Sequence, residues 1–283
     1  MTTKYNCPDG YLSKFSILYN YCSKAHNKME VSFDKTKYDQ ILREKFEVLK
    51  NIYPLYPRNN WQLEKEKYGI KIHSVYDSST ELKIIRSQGI VKSPASKIIE
   101  MGHNIEIATE WDNTLESVKI IHKTEDDYAL IQTVTKKVPL VTQRESFILS
   151  KIFHNEEDGS TFVVSTSCDI PGIKSSSDRV TAQIHLLGWV MNPDVSDPNI
   201  TNLTVILHVD PKGWIPKSLF NSFAHEQGFN MRFLAAYAEK KYREESSSSS
   251  SEEEEEVITS KDETTIKHDK PISSSLHINI RTN

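Results

Sequence analysis

The chain has 283 residues, 37% of them hydrophobic and 26% charged, which suits one globular domain of about 200 residues with extensions. The net charge of −4 is unevenly spread: residues 244–283 hold ten acids against four bases, net −6, leaving +2 for residues 1–243. A near-neutral body excludes a nucleic-acid stripe, the scattered Cys7, Cys22 and Cys168 exclude a disulfide framework or zinc site, and no run of apolar residues is long enough to span a bilayer.

Residues 1–31 mix Tyr5, Tyr11, Tyr19 and Tyr21 with Lys, Asn and Ser, and offer at most a turn of helix over 14–22. The main domain is expected over 32–243. Tyr38, Ile41, Leu42, Leu49 and Ile52 recur at helical spacing behind a capping Asp34, and Pro54 and Pro57 close that helix. Short strands follow over 61–65, 70–76 and 82–90, separated by Tyr68-Gly69 and by Asp77-Ser78-Ser79. Ser93 or Pro94 opens a helix carrying Ile98, Ile99 and Met101, and a second short helix reaches Trp111-Asp112.

Alternation and turn residues place five more strands over 115–122, 128–135, 147–153, 161–167 and 179–191, and a β-branched run marks another over 201–209. That run passes through Asp210 to Asn221, DPKGWIPKSLFN, into a segment with Leu219, Phe220, Phe223, Phe229, Phe233, Leu234 and Tyr237 at amphipathic spacing. Gly213 suits the positive φ of the turn and Pro216 the first helical turn. About nine strands, with helices segregated and the longest last, define an antiparallel α+β architecture.

The DPKGWIP block before a terminal helix resembles the end of the START family, the lipid-transfer domains related to the steroidogenic acute regulatory protein. Three further blocks agree in order: 82–112 ending in Trp111-Asp112, Val138-Pro139 through Gln143-Arg144-Glu145, and Arg179-Val180 through Gly188-Trp189 and Pro193. Two departures stand out: Glu145 replaces the usual Asp, and an arginine often found shortly before the Trp-Asp pair is missing. The resemblance implies a helix-grip fold, a curved sheet closed by a long C-terminal helix over an internal lipid cavity.

It implies a carrier of one sterol or phospholipid, without cofactor or metal, acting as a monomer in the cytoplasm with transient contact at membrane surfaces. Cavity candidates are Gln132, Arg179, Gln183, His185, His208, Phe223, Gln227 and Leu234. Loops 137–143 and 172–178 and the helix from Lys217 form the expected lid, with Gly172 and Gly228 easing its movement. Lys212, Trp214 and Lys217 are the candidates for membrane contact, an aromatic among cations suiting an interface.

Plainer roles compete for several of these residues. Trp111 fits a core anchor, Arg144 a ligand of loop carbonyls, His185 and His208 satisfied interior histidines, and Trp214 a packed cap under the helix start. A lipid-sensing module acting through a protein partner and an enzyme on a hydrophobic substrate are the alternative functions. Against the second, His225-Glu226 has Phe229 where a second zinc-binding His would stand, and no nucleophile elbow or phosphate-cradling glycine loop occurs. The tail 244–283 opens with EESSSSSSEEEEE, a composition that predicts disorder; Ser249, Ser250 and Ser251 each precede a Glu by three residues, as sites for acidophilic kinases do.

Overall fold

The structure, a computed structural model, describes residues 34–55, 60–124 and 128–259, with side chains assigned to Ser247 apart from that of His103. The expectations for residues 1–31, for the distal tail and for the tail serine side chains lie outside the described residues.

Helix α1 spans Lys35–Ile52, capped by Asp34, whose carboxylate accepts from the Lys37 amide at 3.1 Å. The strands are β1 Gln62–Lys67, β2 Ile70–Asp77, β3 Leu82–Val91, β4 Leu115–Lys123, β5 Tyr128–Thr135, β6 Arg144–His154, β7 Thr161–Ser167, β8 Val180–Thr181, β9 Gln183–Pro193 and β10 Thr201–Asp210. Between β3 and β4 lie α2 Ala95–His103, a 3₁₀ turn at Ile105–Ile107 and α3 Ala108–Trp111; α4 Lys217–Gly228 and α5 Met231–Thr259 end the described chain.

Nine strands form one antiparallel sheet in the order β1-β2-β3-β10-β9-β7-β6-β5-β4, and the two-residue β8 pairs in parallel with β6. The expected fold class holds: an antiparallel sheet with helices on it and the longest helix last.

Helix α1 covers the outer face. Its Tyr38, Leu42 and Leu49 pack with Leu149, Phe162, Val164, Leu186, Val190 and Ile206. Each such side chain taken from water stabilises the fold by roughly 1.5–3 kcal/mol. Gly188 makes the approach possible: a Cβ there would stand 2.5 Å from a methyl of Leu49. The inner face carries the second cluster, in which Ile72, Ile85, Val91, Met191 and Leu203 meet Phe220, Ala224, Leu234 and Ala238 of the last two helices and Phe229 between them.

Three local expectations are corrected. The strand expected over 179–191 breaks at Ala182, because Val180 and Thr181 turn aside to pair with Arg144 and Glu145. The same pairing, with Val134 opposite Glu145, starts β6 at Arg144 rather than at Phe147. The single terminal helix is two helices, parted at Phe229 and Asn230 just after Gly228, which lies so close to the sheet that a Cβ would meet the Ser87 hydroxyl at 2.6 Å.

Helix α5 continues past Arg243 to Thr259. Its first turns are already ordered by packing, and adding residues to an existing helix costs far less than nucleating one. Lys97 anchors the start of this extension through Glu245 at 2.6 Å.

Candidate functional site

Alternation along the central strands separates two very different faces. Leu149, Val164, Leu186, Val190 and Ile206 point outward and are at most 3% exposed beneath α1. Their inward neighbours Ile184, Leu187, Trp189, Val205 and Leu207 are only half-buried, although they belong to interior strands of the sheet. On the inner side α4 and α5 pack on β2 and β3, while α2, α3 and the 3₁₀ turn pack on β9 and β4. The helices thus pack along the two flanks of the concave face, and the half-buried Trp189, Val205 and Leu207 pack against the inner cluster.

One end of this concavity is packed solid: Ile152, Val163, Met191 and Leu203 join Ile98, Met101 and Leu234 in one cluster. The other end is rimmed by the loops that follow β2, β5, β7 and β10. Arg144 holds two of these loops together. Its guanidinium donates to the carbonyls of Thr142, of Pro211 at 3.3 Å and of Lys212 at 3.3 Å, and the side chain is buried. Burial holds its pKa below the usual arginine value. This is the carbonyl-binding role that the sequence offered for Arg144.

Between the packed end and the mouth, one row of inward residues crosses five strands: Ala129, Ser150, Ser165, Leu187 and Leu207 stand opposite one another in register. Three of the five are small, and Ala129 and Ser165 among them are buried. Ser165 and Ser150 share a hydrogen bond of 2.8 Å between their hydroxyls. Trp111 and Trp189 meet edge to face at 5.8 Å and pack against the inner cluster, forming a wall toward α3. Trp111 thus takes the packed role offered for it, and Tyr237 of α5 ties that wall to the terminal helix by donating to Glu110 at 2.7 Å. Burial, with the Glu110 carboxylate beside it, pushes the Tyr237 hydroxyl up to about 12.

The cavity candidates divide. Leu234 is buried in the inner cluster, and Phe223 and Gln227 lie on the flank of α4, Phe223 exposed and Gln227 half-buried. His208 shares the outer face with Ile206, its strand partner being Leu186, and its Nε2 lies 3.0 Å from the Thr80 hydroxyl and 3.7 Å from Asp77. A bulge at His185 puts that ring beside His208, with centroids 4.6 Å apart. Both histidines therefore sit behind the sheet, not in the concavity. Burial, reinforced by the neighbouring His185, pushes His208 down to about 4, and burial likewise lowers His185.

Gln132 and Arg179 also gather on the outer side. The fully buried Glu145 accepts from Gln132 Nε2 at 2.9 Å and from the Ser176 amide at 2.6 Å, with the Arg179 guanidinium at 3.8 Å. These contacts fasten loop 172–178 to β6. Gln183 lines a separate outer hollow of about 630 Å³ beside the first turn of α1, with Lys37, Phe147, Cys168 and Ile170. Burial pushes the Cys168 thiol up to about 11.

At the mouth Trp214 is 62% exposed, so the packed cap is not its role, and Val138 and Leu140 project from the β5–β6 loop. Lys212 pairs with Asp210 at 2.9 Å and Lys217 with Glu81 at 3.1 Å. Gly172 has φ of +85°, a turn conformation that favours glycine. Sequence reasoning missed Ser150, Ser165, Leu187 and Trp189. Their facing depends on strand register, which on β9 is shifted by the bulge at His185 and cannot be read from residue identity.

One antiparallel sheet, covered on one face by α1 and on the flanks of the other by the remaining helices, defines an α+β domain closed by its C-terminal helices. The START domain family profile matches residues 53–233, more than half of the chain, and the chain belongs to that family.

The mitochondrial steroidogenic acute regulatory protein of Danio rerio is 32% identical over 124 residues, 43% of this chain and 43% of that protein. The Homo sapiens ceramide transfer protein is 24% identical over 200 residues, 64% of this chain and 32% of that protein. The chain therefore spans less than half the length of either relative. Among solved structures, human StAR-related lipid transfer protein 5 superposes with a TM-score of 0.63 at 20% identity, covering 74% of this chain and 98% of that one. Human STARD10 gives 0.59 at 17% identity, covering 76% and 84%.

Proposed function

We propose that this protein binds one lipid molecule, a sterol or a phospholipid, between the concave face and the last helices, and carries it between membranes. The supporting observation is a contrast on β9 and β10: outward Leu186, Val190 and Ile206 are at most 3% exposed, while inward Ile184, Leu187, Trp189, Val205 and Leu207 are only half-buried. Each CH₂ sheltered from water contributes roughly 0.8 kcal/mol, so an acyl chain or ring system gains a container it cannot forgo in water. A bilayer offers the same shelter, so the net preference is small and exchange is reversible.

Release goes through the mouth. Trp214, Val138 and Leu140 form an exposed apolar rim, with Lys212 and Lys217 among them, and this rim is the surface that meets a membrane. The loops 137–143 and 172–178 with α4 then loosen as a lid. Among the described residues no helix is long and apolar enough to cross a membrane, and we place the chain in the cytoplasm as a monomer with peripheral membrane contact. We assign no catalysis, cofactor or metal to it: the paired rings His185 and His208 lie behind the sheet, out of reach of a chamber ligand.

The test is a fluorescent-lipid transfer assay between donor and acceptor vesicles with α4 locked to β3. Ser87→Cys with Gly228→Cys suits this lock, because a Cβ at 228 stands 2.6 Å from the Ser87 hydroxyl oxygen, close to the roughly 3 Å that separates a Cβ from the far sulfur of a disulfide. In a background with Cys7, Cys22 and Cys168 changed to Ser, oxidation is expected to stop transfer and reduction to restore it. Equal transfer in both states would reject the lid, and no transfer or lipid binding by the unaltered protein would reject the carrier.

A further inference from the structure

We propose that the outer hollow beside the first turn of α1 is a ligand site in its own right, and that its ligand is a single-chain amphiphile ending in a carboxylate, an alkyl carboxylate in the simplest case. The site lies behind the sheet and does not rest on the carrier function proposed above.

The hollow exists because β7 and β9 separate. Their pairing ends at Ser165 opposite Leu187. Beyond that point side chains replace the backbone ladder: the Thr166 hydroxyl reaches the carbonyls of Ile184 and His185, both at 3.1 Å, and the Ser167 hydroxyl accepts from the Ile184 amide at 3.0 Å. The chain before β9 meanwhile turns away to pair with β6 as β8. The space left is about 630 Å³, within the roughly 300–1,000 Å³ of ligand pockets.

Its walls are of two kinds. Phe147, Ile170, Ile173 and Ala182 supply apolar surface, and Ile170 and Ala182 among them are buried. The polar wall offers donors. Lys37 lines the hollow, and among the described residues its ammonium has no carboxylate within ion-pair distance. The Gln183 side-chain amide likewise has no hydrogen-bond partner among the described residues. The Ser167 hydroxyl accepts and so keeps its own hydrogen, and the Ser175 and Thr181 hydroxyls share one bond of 2.9 Å, which leaves one hydrogen of that pair unspent.

Two other charges face the same space. Lys212 is balanced by Asp210 at 2.9 Å, and Asp169 is exposed, where water and salt screen it. The unspent donors therefore outnumber the acceptors, and a carboxylate, which only accepts, is their complement. A neutral alcohol would leave Lys37 unmatched, and a small anion would leave the apolar wall in water. An alkyl carboxylate answers both.

The full-length protein would be titrated calorimetrically with sodium decanoate, with 1-decanol and with sodium acetate at about pH 8, where a carboxylic acid is ionised. Amide hydrogen exchange would locate the bound acid. Decanoate is expected to bind about tenfold more tightly than decanol, the worth of one charge-assisted hydrogen bond at an exposed lysine, and acetate to give no heat. Exchange is expected to slow in segments 35–42 and 167–175 and to stay unchanged in 217–240. Lys37 and Ser175 are both exposed, so K37A and S175W should fold. K37A is expected to erase the preference over decanol, and S175W, which fills the hollow, to abolish binding. The comparisons on the unaltered protein stand alone should a variant not fold. Equal affinity for decanol and decanoate, or acetate binding as tightly as decanoate, overturns the ligand class. Slowing in 217–240, or decanoate binding that survives in folded S175W, places the acid elsewhere and overturns the site. No binding of decanoate at millimolar concentration overturns both.

Discussion

Gly188 decides more than any other single residue, because the outer face exists as a packed face only through its missing side chain. Leu49 fills the space where a Cβ would stand, 2.5 Å from one methyl and 2.8 Å from the other. G188A is therefore expected to cost about 1–3 kcal/mol, the range for overpacking a close-fitted core. L49A, which empties the same space, should cost about 2–5 kcal/mol. The pair G188A/L49A should lose less than the sum, and urea midpoints of the four proteins measure that coupling; strict additivity would refute the contact. Residue identity in the sequence showed that β9 contains a glycine but not which way it faced. A bulge at His185 shifts the alternation by one position, so the even rhythm Gln183, His185, Leu187 does not hold to one face. That is why His185 was expected in the cavity and stands behind the sheet, while Leu187 is inward.

Among the elements, strands and helices were legible where periodicity was local, and hidden where a tertiary pairing set the boundary. Helix α1, the three opening strands and β10 follow directly from capping, turn residues and β-branched runs. The start of β6 and the split before β9 do not, because both depend on β8 folding back onto Arg144 and Glu145. Arg144 illustrates the consequence: adjacent to Glu145 in sequence, it faces the opposite side and joins two loops. Removing it in R144A leaves the carbonyls of Thr142, Pro211 and Lys212 without their donors and is expected to cost about 1.5–3 kcal/mol, the scale of charge-assisted hydrogen bonds. The loss should concentrate at the mouth. Amide hydrogen exchange in segments 136–143 and 211–216 is expected to quicken more than in β9 or β10, and R144K, without the planar fork, should restore little of it. Uniform acceleration across the sheet would mean that Arg144 supports the core and not the two loops.

At the scale of the whole molecule, the two histidines behind the sheet give the fold a sensitivity to acid. His208 is buried against His185 and held neutral, with its pKa pushed down to about 4 from an ordinary 6.5, and His185 is lowered as well. Asp77 and Asp210 attract a proton to this cluster, whereas Lys45 on α1 and Lys212 oppose it, and burial outweighs both acids. The sign follows from linkage: an unfolded histidine takes up its proton near pH 6.5 while the folded one does not, so acidification favours the unfolded state. The stabilisation is full above pH 6.5 and is lost as the pH falls toward about 4. Asp77 and Asp210, with pKa values below the usual carboxylate range, add their own loss only at lower pH. The melting temperature should therefore decline between pH 6.5 and 4, before carboxylate protonation dominates. His208→Asn keeps a partner for the Thr80 hydroxyl but does not titrate, so its melting temperature should fall less steeply over the same window. A variant that tracks the unaltered protein through that window would place the acid sensitivity elsewhere in the molecule.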